Sequence, residues 1–169
     1  VPIKVGLREI PPLALATMRF FFAAVPLVFF IRPPRMPWRF IAGYGVAIGV
    51  CPFGLLFLGI NLGMPVGVSS LVIQVQIFFT IALAVAFLGD RVHRESLIGA
   101  LIAAAGVVIL AAHTLHEGAS ATLIGFMLVL AAALAWAVGN VIAKRAALEH
   151  QADMFALVVW SSLVPPMPL

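Results

Sequence analysis

Charge is scarce in this chain. Asp, Glu, Lys and Arg make up 9% of its 169 residues, against about a quarter in an ordinary soluble domain. So few charges cannot clothe a water-facing surface, which excludes a soluble globular fold. Carboxylates are scarcer still. There are six, and each (Glu9, Asp90, Glu95, Glu117, Glu149, Asp153) falls at a loop or a helix end. That leaves no paired carboxylates within the apolar runs and no acidic relay for protons. Cysteine is represented once, by Cys51 in an apolar run, which excludes a disulfide within the chain and reads as a small hydrophobe. No Ser/His/Asp or Cys/His arrangement and no phosphate-cradling glycine loop is present. The chain is therefore not expected to be an enzyme, and no cofactor is implied. His113, His116 and Glu117 resemble a metal cluster in composition, but they lie together in a short polar stretch with no further ligand, so a solvated turn is expected there and no metal site. No basic-then-apolar leader is visible, and the chain opens on Val1 in an already apolar context.

What is abundant is grease. Hydrophobic residues reach 64% and the mean hydropathy is +1.19, so the solvent for most of the surface is a lipid bilayer. Crossing about 30 Å of hydrocarbon takes roughly 20 helical residues. By that ruler Leu13–Ile31, Phe40–Leu62, Val66–Leu88, Ser96–Ala112 and Leu123–Ala143 are spans, the second and third joined by a tight Gly63-Met64-Pro65 turn. Val1–Leu7 is a stub of about two turns, and Met154–Leu169 starts a further helix that stops at Pro165, Pro166 and Pro168. Both ends are expected to continue in a longer protein. The runs are continuous and rich in Ala, Leu and Gly, without the period-two alternation of a barrel strand, so the fold class is an all-α polytopic bundle. Pro26 and Pro52 inside spans mark expected kinks.

The basic residues give orientation. The net charge of +4 and pI of about 10.2 do not indicate nucleic acid, because Lys and Arg sit in short gaps rather than on one phosphate-tracking patch. Arg32, Arg35, Arg39, Arg91, Arg94, Lys144 and Arg145 fall in alternate loops, whereas the opposite set holds only Lys4 and Arg8. This positive-inside bias places loops 32–39, 89–95 and 144–153 in the cytoplasm. A short echo links Val-Pro-Ile-Lys ending at Lys4 with Val141-Ile142-Ala143-Lys144, an offset of 140 residues. An odd number of spans lies between, so the two copies run in opposite directions, as in the inverted repeats of transporters.

Polar residues inside the spans are the informative ones, since each costs free energy in hydrocarbon unless it meets a partner or a cavity. Arg19 either meets a substrate carboxylate or snorkels to the outer headgroups. In the span 66–88, Ser69, Gln76 and Thr80 share one stripe, and Ser70 with Gln74 another. At most one of Gln74 and Gln76 faces a central pathway fully, the alternative for both being hydrogen bonds between helices. Asn61 and Asn140 are further candidates, and Trp136, four residues before Asn140 on the same face, offers either an aromatic wall beside the amide or plain packing. Gly45 with Gly49, Gly59 with Gly63, and Gly99 with Ala103 are spaced to let helices approach closely. Asp90 and Glu95 sit beside Arg91 and Arg94 at a tip, where capping and local ion pairing are expected.

Several stretches resemble a known family. Phe87-Leu88-Gly89-Asp90-Arg91 is similar to the Phe-Leu-Gly-Glu-Arg that ends the fourth helix of EamA-like transporters, within the drug/metabolite transporter superfamily. Gly99–Leu110 (GALIAAAGVVIL) looks like that family's fifth helix. The stretch from Gly125 to Arg145, with its closing AWAVGNVIAKR, resembles the start of its second repeat, and IKVGL followed by PPLALATMRF resembles the end of its first helix and its second helix. The likeness covers essentially the whole chain. Many members carry a Leu-x-Pro-x-Phe pattern in the fourth helix, where this chain has Val72-Ile73-Gln74-Val75-Gln76-Ile77-Phe78. That departure, with Asn61-Leu62-Gly63-Met64-Pro65, is similar to members that export O-acetylserine and cysteine. The resemblance implies ten helices in two inverted five-helix repeats, about five helices complete and two partial in this chain. Residues 1–112 would be the first repeat, 113–122 a periplasmic loop and 123–169 the start of the second repeat. It also implies an inner-membrane exporter of small amino-acid-like metabolites working by alternating access, with Gln74, Gln76, Asn140, Trp136, Arg19 and Asn61 as candidate contacts for a small-molecule substrate. A family member with another substrate, or a membrane-embedded structural or enzymatic subunit, is the alternative.

Overall fold

The structure is a computed structural model, which describes residues 18, 21–22, 24–116, 122–150 and 153–165. The stub 1–7 and Arg19 lie outside the described residues. Among those described, every regular element is helical. A helical stretch at 24–28 leads through a turn to α1, Trp38–Asn61; α2 is Val66–Leu88, α3 Arg94–His116, α4 Leu123–His150 and α5 Met154–Ser161. Among the described residues, α1, α2 and α4 are long and apolar enough to cross a membrane, with mean hydropathies of 2.0, 2.4 and 2.2 over their best windows.

The kink expected at Pro52 takes a specific form. Trp38–Gly45 and Cys51–Asn61 are regular α-helix, but Val46–Val50 between them is a π-helical turn. Proline has no N–H to donate and its ring strikes the carbonyl four residues back, here that of Ile48. The wider turn, in which the Cys51 N–H reaches Val46 O, absorbs that ring without ending the helix. α2 has its own irregularity, a 3₁₀ turn at Ile73–Val75.

α1 ends in a Schellman motif. Gly63 adopts φ +96°, its N–H returns to Ile60 O at 3.1 Å and that of Met64 to Gly59 O at 3.0 Å, satisfying carbonyls that the helix end would orphan. Thr122 then joins two loops. Its hydroxyl donates to Leu62 O at 2.5 Å and accepts from the Gly125 N–H at 3.2 Å, capping α4. At the other end Gly89, at φ 65°, stops α2, and Asp153 caps α5 by accepting from Phe155 N at 2.9 Å.

Two boundaries differ from the sequence expectation. The segment 144–153 is not a loop throughout: α4 continues through Lys144 to His150. Ala, Leu, Lys, Arg and Glu there are strong helix formers, and Arg145 pairs with Glu149 one turn on at 2.7 Å. Likewise α3 runs on to His116, so 113–116 is helical backbone where a loop was expected.

α4 runs antiparallel to α1 and parallel to α2, packing against both. Lipid tails are as apolar as leucine, so close backbone approach and van der Waals contact hold such helices together. The closest approach is at glycines. A Cβ on Gly59 would stand 2.9 Å from Gly125 O, one on Gly125 2.8 Å from Gly59 O, and one on Gly139 2.6 Å from Ile48 Cδ1. Gly45 gives similar clearance to the end of α5, where a Cβ would sit 2.6 Å from Ser161 O. Gly99, expected to play the same part, has open space around it. Two apolar clusters flank the crossing. Met64, Val68, Val72 and Val129 are buried together at one end, and Ile41, Ala143, Ala146 and Leu157 at the other.

The crossing gives a test. Gly59→Ala forces a methyl against backbone and is expected to destabilise the protein by about 1–3 kcal/mol, whereas Gly54→Ala, with nothing within 4 Å, is expected to be near neutral. The unfolding midpoints of both variants in detergent check this.

Candidate functional site

Two polar stripes face one another across the α2–α4 contact. On α4, Trp136, Asn140 and Lys144 follow at four-residue spacing, an aromatic ring, an amide and an ammonium down one face. On α2, Gln76, Thr80 and Ala84 keep the same spacing, and the chain turns at Gly89 to bring up Asp90. The stripes meet at two levels. Asn140 Nδ2 donates to Thr80 Oγ1 at 3.2 Å, and the Lys144 ammonium pairs with the Asp90 carboxylate.

Gln76, one turn above Thr80, is half-buried. Its Oε1 is buried with no hydrogen-bond partner among the described residues. Leaving a buried amide oxygen unpaired costs about 1–3 kcal/mol, so Gln76 is poised to accept a bond. The hydroxyls nearer the start of α2 are committed locally, Ser69 donating to Pro65 O at 3.0 Å and Ser70 to Gly67 O at 2.6 Å. Trp136 packs on Phe53 of α1, ring centroids 6.2 Å apart, a contact that joins α1 to α4.

Below the Thr80–Asn140 bond lies a cleft of about 320 Å³. Thr80, Ala84, Asp90, Arg91, Ser96 and Lys144 are among its lining residues. The Asp90–Lys144 pair at its side is partly exposed, 31% and 47% for the two side chains, and a pair so placed contributes only about 0–1 kcal/mol. Asp90 was expected to pair with its neighbours Arg91 and Arg94; its partner is instead Lys144, 54 residues away. Among the described residues no group of three His, Cys, Asp or Glu side chains converges to hold a metal ion.

The six sequence candidates thus separate. Asn140 meets Thr80 of α2, Gln76 lies one turn from Thr80 on α2, and Trp136 packs on Phe53 of α1. Gln74 is exposed on another side of α2, and Asn61 is exposed at the end of α1. Arg19 lies outside the described residues. Thr80, Asp90 and Lys144 were not among the candidates. The sequence stripe already joins Thr80 to Gln76, and one further four-residue step from Asn140 reaches Lys144; no local signal links Asp90 to Lys144.

The described helices form an apolar bundle with partly buried polar contacts between α2 and α4, and comparison with known proteins gives the family. Residues 1–112 match the EamA-like transporter family, and the chain belongs to it. It is 44% identical over 170 residues, 99% of this chain, to a protein of Escherichia coli K12 named a probable amino-acid metabolite efflux pump. It is 43% identical over the same share to a protein of that name from Salmonella typhimurium, and 29% identical over 146 residues to an uncharacterized transporter of Archaeoglobus fulgidus, covering 84% of this chain and 51% of that protein. The chain spans 56% of the length of the first two. No solved structure matches it significantly. The chain is a multi-pass inner-membrane protein of a transporter family rather than an enzyme.

The Thr80–Asn140 bond is open to a double-mutant cycle. Thr80→Val and Asn140→Leu, made singly and together, are expected to show a coupling of about 0.6 kcal/mol in unfolding free energy. A coupling of zero would mean that the two side chains do not meet.

Proposed function

We propose that the full-length protein exports small amino-acid-like metabolites, of the O-acetylserine and cysteine class, by alternating access. Supporting this reading is the conjunction of two facts: near-complete coverage of this chain by relatives named amino-acid metabolite efflux pumps, and a buried amide oxygen on Gln76, without a hydrogen-bond partner among the described residues, one turn from the Thr80–Asn140 bond. Amide and hydroxyl groups suit a small zwitterion with polar side-chain atoms, and the Phe53–Trp136 wall supplies apolar contact for its carbon atoms.

In this reading residues 1–112 form the first five-helix repeat, 113–122 contain the periplasmic connection and 123–169 open the inverted second repeat. The basic ends at 32–39, 89–95 and 144–153 face the cytoplasm. Gln76, Asn140 and Trp136 line the solute path near the midplane, with Arg19 meeting a carboxylate nearer the outside. Gln74 and Asn61, exposed in the described structure, would reach the solute only if the remaining helices enclose them.

Efflux of labelled cysteine or O-acetylserine from cells expressing the full-length protein tests this. Gln76→Leu is expected to slow efflux roughly tenfold, the cost of one well-placed hydrogen bond, and Gln74→Leu to change it less than about twofold, within the cost of an exposed site. Unchanged efflux on expression of the wild type removes the substrate class. Equal loss in both variants removes the assignment of Gln76.

A further inference from the structure

We propose that the cleft between Thr80 and the Asp90–Lys144 pair is the cytoplasmic loading site for the solute, and that a zwitterionic amino acid enters by exchanging with that ion pair. This rests on the export reading above. In the exchange the solute's carboxylate takes the Lys144 ammonium, and its own ammonium takes the Asp90 carboxylate. Each protein charge then keeps a partner throughout, so no uncompensated charge is carried toward the hydrocarbon.

Four observations support this. The pair is partly exposed and beside open space, so it is weakly held. The cleft, at about 320 Å³, falls within the size range of ligand clefts. Arg91 adds a second cation to the lining, which biases the opening toward carboxylates. The cleft is also continuous with the polar line: Thr80 lines it and bonds Asn140, and Lys144 stands one helical turn below Asn140 on the same face. A solute released from Lys144 therefore meets Thr80 and Asn140 next, then Gln76.

Purified full-length protein in lipid nanodiscs tests the idea by equilibrium binding of three probes: L-serine, L-serinamide, which lacks the carboxylate, and N-acetyl-L-serine, which lacks the ammonium. Wild type is expected to bind serine at least roughly tenfold more tightly than either analogue, as expected for a lost charge-assisted bond. Lys144→Met is expected to weaken serine binding by a similar factor while leaving serinamide nearly unchanged. Asp90→Asn is expected to do the same with respect to N-acetylserine. Variants that keep wild-type affinity and discrimination overturn this site and leave the export reading intact, provided that wild-type efflux persists. If both variants lose all three probes equally, the pair only braces the fold and the proposal fails. If wild type binds no serine yet exports cysteine or O-acetylserine, loading by ion-pair exchange is wrong; if it neither binds nor exports amino acids, the substrate class falls with it.

Discussion

The rest of the structure depends on how closely α4 approaches α1. In water, burial of apolar side chains would hold two helices together from many positions; in lipid that driving force is absent, and contact must come from backbones brought near each other. Gly59 and Gly125 each stand where a methyl would strike the other's carbonyl. This fixes the register of α4 on α1, and α4 in turn presents Asn140 and Lys144 to α2. The polar line is thus positioned by residues that have no side chain.

Within that frame the two irregular turns have separate effects. The π turn at Val46–Val50 lets α1 carry a proline through its middle and still reach the glycine crossing in register. The 3₁₀ turn in α2 ends immediately before Gln76. Tighter winding there rotates the later residues relative to the earlier ones. The sequence stripe joining Ser69 to Gln76 and Thr80, drawn for an ideal helix, is therefore approximate. It still finds the buried side of α2, because Ser69 is buried and Thr80 faces α4.

Much of the fold was legible in the sequence because hydrocarbon thickness is a strict ruler. The spans at 40–62, 66–88 and 123–143 needed only length and hydropathy, and the Gly63 turn needed only a residue tolerant of positive φ. The limits of α4 were less legible. Lys144 and Arg145 read as the start of a loop because charge signals the membrane edge, but charge ends a span and does not end a helix, and Ala146, Ala147 and Leu148 carry the helix onward. For the site, the amide residues stood out by their cost in lipid, which brought Gln76 and Asn140 forward together with Gln74 and Asn61, since cost alone does not say which way a side chain points. The pairing of Asp90 with Lys144 was not legible at all. Two oppositely charged residues lay closer to Asp90 in the chain, and only the packing of α2 on α4 selects the distant one.

The two ends of the bundle are fastened by different chemistry. At one, the Thr122 hydroxyl ties Leu62 to the start of α4 through neutral hydrogen bonds, which dissolved salt barely affects. At the other, α4 is tied to the end of α2 by a half-exposed pair of opposite charges, which mobile ions screen over about 8–10 Å at ordinary ionic strength. The composition of the bathing solution therefore acts on this bundle unequally, loosening one face of it while leaving the opposite face clasped.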